Sequence, residues 1–401
     1  MTATAASSDK SEILLEGDSQ FEAFVARDRD CLSRLGVDLD NLHSATRAPV
    51  TARRPWLQAW LNSYPAYEPL LVAVRRGNRL DAAAPLALLR RRTQIQVVAM
   101  GHGPSDEIRM PARDAASAAA LGRAVAITLR SLPSRYAVEL RHLPGDELSV
   151  AATAAQLPHA AVEPGDVSPR LHLGGERTLR PYVSRNHHQQ RKRLLNRIEN
   201  AGLRLDLELR VTPEEIVRIL PEVRELCRER DLAIRGQSRM DEPAYSHFFD
   251  EVIAWHASLD AVRLTTLSLD GDLAAYVLCF RDGATWRMWH GRVRPRWLQF
   301  GAGRLAADAA VEAALGDSEC AVFDWMRGEE PYKFSLSDHT DRTVDLFASS
   351  STLAWWLASA VRAARRRARD LTAKHERLAQ AWRRIEPQLR RIGRMAQPGT
   401  Q

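Results

Sequence analysis

Cysteine is scarce in this chain: 401 residues hold four, Cys31, Cys227, Cys279 and Cys320, and no two of them form a C-x-x-C pair. That scatter argues against a disulfide framework and against a thiolate zinc site. Each thiol is expected as a small buried apolar group in a reducing, cytoplasmic protein. Long hydrophobic runs are also missing. The strongest, residues 353–361, is far shorter than the roughly 20 residues that cross a bilayer, which leaves a soluble or at most membrane-peripheral protein. Residues 1–10 have no basic stretch leading into an apolar one; they read as a disordered leader and not as a signal peptide. Acidic residues fall short of basic ones, 50 against 57, and the net charge of +7 favours phosphate-bearing or acidic partners. Part of that excess is local, because residues 362–394 are crowded with arginine.

Core material is ample: with 45% hydrophobic residues the chain can build two ordinary domains or one large pseudo-symmetric unit. Residues 70–89 read as two strands around Gly77-Asn78, and residues 262–280 repeat that hairpin around Asp270-Gly271. Each hairpin is followed by a strand (93–100; 285–293), a glycine loop (Gly101-His102-Gly103; Gly301-Ala302-Gly303), an Ala-rich helix (115–129; 304–315) and a closing strand (136–140; 321–325). The order of elements is duplicated although the identities are not. Between the halves lie a Pro- and Gly-bearing crossover at 163–169, a strand, and a basic helix over 181–201. That helix carries Arg185, Arg191, Lys192, Arg193 and Arg197 beside a narrow stripe of Leu194, Leu195 and Ile198. It is either a solvated face docked by one edge or a cationic wall for a phosphorylated ligand. Its neighbours His187 and His188 point about 100° apart on a helix, so no metal site is expected there. A capped amphipathic helix at 213–230 is followed by an aperiodic loop at 231–241 suited to covering a site, and then by a helix over 243–256.

Two segments concentrate chemistry. Residues 297–305 set Gly301, Ala302 and Gly303 at a helix entry with Arg294, Arg296 and Arg304 around it. Backbone N–H groups and the positive end of a helix dipole converge there, which suits an anion. Residues 323–333 run from a strand end into a turn that holds Asp324, Arg327, Glu329, Glu330, Tyr332 and Lys333 beside Trp325. Gly328 and Pro331 fix that turn, so its charges form either a site or a salt-bridged surface turn.

The order of hairpin, strand, G-x-G loop, helix and strand resembles the GNAT acyltransferase fold. Residues 323–333 look like the DF-x-x-G-x-x-x-YK ending of its CelD-like branch, the cellulose-biosynthesis-type acetyltransferases, with Trp325 in place of the commoner Phe. Segments 55–60, 100–106 and 270–275 and the basic helix after Ser184 agree with that branch, so the resemblance spans residues 45–345. Leu298 stands where the family has Gln or Arg before its glycines. The resemblance implies an α/β (α+β) fold of two tandem GNAT-like units, each a mixed central sheet flanked by helices, with an Arg-rich helical tail. Its divisions are a leader and helical segment at 1–44, one half at 45–165, a second half with the donor site at 166–348, and the tail at 349–401.

An enzyme is implied: an N-acyltransferase that moves an acyl group, expected to be acetyl, from acyl-CoA (acetyl-CoA) to an amine by direct attack, without a metal. The acceptor would be a small-molecule, saccharide or peptide amine. Gly301, Ala302, Gly303, Arg304 and Arg296 are the candidates for holding the donor. Asp324 or Glu330 could orient or deprotonate the amine, Tyr332 could protonate the leaving group, and Lys333 could stabilise charge. His290 titrates near neutrality and is a candidate general base, with Trp286, Met288 and Trp289 suggesting an apolar acceptor pocket. Each also has a plain structural reading, as a turn cap, a salt bridge or sheet packing. Fem-type aminoacyl transferases duplicate the same unit, so aminoacyl-tRNA is the alternative donor, and a non-catalytic GNAT-fold binding protein is the third reading. A helix over 353–392 carries Trp355, Trp356, Leu357 and Val361 on one face and arginines from Arg362 to Arg394 on the other. It is expected to dock on the domain, or to touch an anionic membrane or tRNA.

Overall fold

The computed structural model describes residues 13–15 and 20–374. The expected leader at 1–10 and the tail positions from Arg377 to Arg394 lie outside them. Strands β1 (Ile13–Leu15) and β2 (Glu22–Ala26) precede helices α1 (Cys31–Ala45) and α2 (Arg54–Ser63). The first hairpin is β3 (Glu68–Arg76) with β4 (Arg79–Arg90), followed by β5 (Ile95–Ala99), α3 (Ala115–Arg130) and β6 (Tyr136–Pro144). Next come α4 (Leu148–Ala154), β7 (Ala161–His172) and the basic helix α5 (Arg185–Asn200). The second half holds β8 (Leu205–Arg210), α6 (Pro213–Arg235), α7 (Pro243–Ser258), the hairpin β9 (Val262–Leu269) and β10 (Asp272–Asp282), β11 (Thr285–Val293), α8 (Ala302–Gly316) and β12 (Val322–Asp324). The chain continues through α9 (Pro331–Phe334), β13 (His339–Ser349) and α10 (Thr352–Lys374).

The duplicated order read from the sequence is present, and the two copies share one sheet. Its strand order is β1-β2-β3-β4-β5-β6-β13-β7-β12-β11-β10-β9-β8. The hairpins are antiparallel, whereas β5 runs parallel to β6 and β11 parallel to β12, the sense that a helical crossover between paired strands produces. At the centre the halves exchange strands. β7 follows the first half but pairs with β12 of the second, and β13 closes the second half but pairs with β6 of the first. β7 and β13 also pair with each other.

Helices cover both faces. On one face a single core draws residues from both halves, including Leu39, Trp56, Leu71, Phe248, Leu264 and Phe280, under α1, α2, α6 and α7. On the other face there are two separate cores. Leu121, Val125 and Val150 of α3 and α4 pack over the first half, and Leu305, Val311 and Ile198 of α8 and α5 pack over the second.

The expected crossover at 163–169 is a strand. Pro164 and Pro169 lie within β7, opposite Val344 and Thr340 of β13. Proline is rare in a central strand because it donates no ladder hydrogen bond; here β13 shifts register between Arg342 and Val344. Gly165 lets the strands approach, since a Cβ there would sit 2.5 Å from the Thr343 hydroxyl. The expected division at 165/166 therefore falls inside β7. The basic helix starts at Arg185, four residues later than expected, because the Ser184 side chain caps it by accepting from the His187 N–H. α6 runs on to Arg235, into the expected loop at 231–241, and a short 3-10 turn at Arg239–Asp241 follows.

Candidate functional site

The parallel pair β11–β12 opens into a slot. Only Thr285, Trp286 and Arg287 of β11 pair with β12, although β11 continues to Val293 and stays paired to β10 along its other edge. β12 stops at Asp324 because the chain turns away at Met326, which has a φ of 53°. From Met288 onward one edge of β11 thus has no paired strand among the described residues, and the turn at 325–328 follows directly from the end of β12. The slot has two sides: Trp289 and Tyr276 belong to the core shared by both halves, and Trp325 and Tyr332 belong to the core under α8.

The charged turn is pinned from every direction. Asp324 is 1% exposed and accepts from Ser168 Oγ (3.2 Å), Arg170 Nε (3.2 Å), Arg287 Nη1 (2.7 Å) and the Met326 N–H (2.8 Å). The Gly328 N–H donates to Val167 O on the exchanged strand. Lys333 is buried and donates to Arg327 O at 2.7 Å, with Glu330 Oε2 at 3.2 Å. Arg327 reaches across to the first half, meeting Asp106 at 3.2 Å and His142 Nε2 at 2.5 Å. Burial raises the Asp106 carboxyl above its usual range against the opposing pull of Arg327 and Lys333, and burial together with Arg327 holds His142 down to about 2. Tyr332 stands edge-on to Trp325 at 5.7 Å between centroids. Its phenol is pushed up by burial and by Glu330, with Arg292 opposing.

His290 lies apart from that turn. It is buried with Nδ1 2.6 Å from the Tyr276 hydroxyl, Nε2 4.0 Å from Cys227 Sγ, and its ring edge-on to Phe249. Burial, then Arg292 and Arg239, lower its pKa well below the ordinary histidine value, so the imidazole is neutral. The expected catalytic residues therefore fall into two groups, Asp324, Glu330, Tyr332 and Lys333 around the turn and His290 across the slot.

The two helices that follow the parallel strands begin differently. α3 is closed by its own acid: Asp114 accepts from the Ser117 N–H at 2.8 Å and pairs with Arg76 at 2.7 Å, and these bonds hold its carboxyl down to about 2. α8 has no side-chain cap. Its N-cap is Gly301, at a left-handed φ of 67°, where a Cβ would lie 2.7 Å from Leu194 of α5. Arg304 N and Leu305 N turn back to Gly301 O, while the first amides of a helix have no partner within it. The expected arginines do not converge on this end. Arg296 and Arg294 pair with Asp272, and Arg304 bonds Gln190 and His187 of α5, with His187 in turn 2.9 Å from buried Asp308. Next to it lies a groove of about 590 Å³ lined by Arg193, Asn196, Arg197 and Asn200 of α5 and by Gln299 and Phe300.

Sequence reading missed Arg239, Tyr276, Cys227 and the Arg327 contacts with Asp106 and His142. Asp106 lies in the Gly101–Asp106 stretch that drew attention, but nothing local pairs it with a residue 221 positions away.

Residues 185–334 match the family of acetyltransferase (GNAT) domains. No curated protein matches the chain. Among solved structures, FemX is similar at a TM-score of 0.53 and 10% identity over 77% of this chain and 94% of that one. A tandem GNAT protein from the clavulanic acid biosynthesis pathway is similar at 0.48 and 17%, over 82% of this chain and 99% of that one. Residues 185–334 thus resemble a GNAT domain, and the whole is a mixed α/β fold in which two units of the same element order share one sheet.

Proposed function

We propose that the chain is an acyl-CoA-dependent N-acyltransferase whose second half binds the donor. The observation that carries this is the contrast between the two helix entries. α8 presents uncapped amides beside the open β11–β12 slot, whereas the Asp114 carboxylate occupies the matching end of α3. A helix N-terminus of that kind favours phosphate oxygens through its free N–H groups and dipole. The pyrophosphate lies at Gly301, Ala302 and Gly303, and the thioester enters the slot from the α8 side. Arg296 and Arg304 act at one remove, by fixing the loop against Asp272 and α5.

The amine arrives from the opposite side, past His290. Its nitrogen attacks the thioester carbonyl; the C–N bond forms, the carbonyl oxygen takes up negative charge, and the C–S bond then breaks. Backbone N–H groups along the unpaired edge of β11 stabilise that oxygen. Neutral His290 accepts the ammonium proton, and Tyr332, held as the phenol, gives its proton to the departing sulfur. Asp324 and Lys333 position the turn that carries Tyr332. Glu330 holds Lys333.

A second reading, an aminoacyl-tRNA donor, draws on the groove beside α8, where Arg193 and Arg197 offer a cationic track for a polynucleotide. Titrating the purified full chain with acetyl-CoA, longer acyl-CoAs and aminoacyl-tRNA separates the readings. Saturable binding of a thioester with thiol release in the presence of amines is expected. Binding of aminoacyl-tRNA alone would favour the second reading, and binding of neither would sink both.

A further inference from the structure

Several arginines in the interior of this protein are matched by carboxylates. Arg287 has Asp282 and Asp324, Arg294 has Asp272 and Glu229, and Arg109 has Glu107 and Glu147. Arg239, like Arg29 and Arg304, has none within 4 Å among the described residues. It is half-buried on the turn after α6, stacked 3.9 Å over the Tyr245 ring and close to the Tyr64 phenol. One guanidinium nitrogen comes within 3.8 Å of where a Gly103 side chain would begin, so Arg239 bridges from the second half to the glycine loop of the first.

More positive charge stands close by. Arg292 lies two residues past His290 on β11, and among the described residues its one carboxylate within 4 Å is Asp231, at 3.6 Å. Arg230, beside Asp231 in the chain, feels Arg292 strongly enough that its own guanidinium pKa is lowered, with burial the larger cause. Among the described residues, Asp231 lies within 4 Å of Arg292 and no carboxylate lies within 4 Å of Arg239. Glu242 and Glu139 act on the rim at longer range, on Tyr64 and His102. Both histidines that face this charge, His102 and His290, are kept neutral by burial and by the arginines, so neither adds to it nor relieves it.

We propose that Arg239, beside Tyr245 and the Gly103 loop, binds an anionic group on the acceptor, a carboxylate or phosphate carried by the same molecule as the reacting amine, with Arg292 supporting. The inference rests on the acyl-transfer reading for the identity of the molecule as an acceptor. Location separates this anion from the donor's phosphates. Met240 and Tyr245, which flank Arg239, belong to the core on the shared face, whereas α8 and its open end belong to the opposite face. An anion at Arg239 would dock the acceptor by a charge-assisted bond and leave its amine to reach His290. It would also discriminate strongly, because a neutral analogue would leave the guanidinium unpaired in a partly desolvated place.

Two measurements on the full chain test this. In the first, inorganic phosphate is titrated into the Gly303→Val protein, whose α8 site is blocked, and tryptophan fluorescence is read. Saturable binding is expected; adding Arg239→Gln should weaken it by about tenfold or more, and Arg239→Lys should restore part of it. No binding in Gly303→Val, or equal binding in the Arg239→Gln protein, overturns the proposal. In the second, acetyl-CoA consumption is compared for glucosamine 6-phosphate and glucosamine. The phosphorylated amine should have kcat/KM higher by about tenfold or more, and Arg239→Gln should collapse that ratio; a preference for the neutral amine overturns the proposal. If thiol is released with no amine at all, the acyl-transfer reading fails, and the phosphate titration still decides whether Arg239 holds an anion.

Discussion

Asp324 is the residue whose meaning depends most on its surroundings. In the sequence it heads a charged turn and looks available for proton transfer; in the fold all of its acceptor capacity is taken by two guanidinium groups, a hydroxyl and a backbone N–H. Removing it leaves the largely buried Arg287 with Asp282 alone, so Asp324→Ala should cost about 1–3 kcal/mol of stability in urea unfolding. Asp324→Asn should cost less and keep measurable turnover; a folded Asp324→Asn protein with no activity would restore a catalytic role. Tyr332 is the residue assigned to chemistry. Tyr332→Phe should lower kcat by about 10²-fold while leaving the thioester Kd unchanged. Because its phenol is raised above the ordinary tyrosine value of 10.0, the protonated form persists, and kcat should show no Tyr332 falling limb below pH 10. A limb near pH 8 that vanishes in Tyr332→Phe would contradict that environment.

Among the elements, the entry to α8 makes the sharpest division between stability and binding. Gly301 is needed for the backbone, since any side chain there meets Leu194 and a positive φ; Gly301→Ala should cost about 1–3 kcal/mol. Gly303 lies at ordinary backbone angles, and the nearest atom to a side chain there would be Val293 Cβ, at 3.4 Å. Gly303→Val should keep its melting temperature within a few degrees and lose thioester affinity, and unchanged affinity would move the donor elsewhere. The hairpins, the helices after the glycine loops and the basic helix were legible because their patterns are local: alternation, turn residues and caps act over a few positions. β7 was not, because Pro164, Gly165 and Pro169 signal a loop and only the fit against β13 overrides them. The candidate site was legible in the same measure. Gly301 and the 323–333 turn stand out as contiguous patterns, whereas the surroundings of Arg239 come from α6 and the turn after it, α7, β11, the Gly103 loop and Tyr64, and leave no contiguous trace.

At the scale of the whole molecule, exchanged strands and a common core on one face bind the halves into one unit. Calorimetry should therefore give a single transition whose van't Hoff and calorimetric enthalpies agree; two resolved transitions would mean that the halves melt apart. The exchange also sets an order of events during synthesis. When the ribosome has made the first half, β6 has β5 on one side and, on the other, a bare row of N–H and C=O groups whose partner begins at His339, about 200 residues later. At about 5–20 residues per second that edge stays unpaired for about 10–40 seconds in every nascent chain. An exposed strand edge of that duration recruits other chains. The yield of active protein should accordingly depend on how many copies are being translated side by side, and on holdase chaperones, more than on the stability of the finished fold.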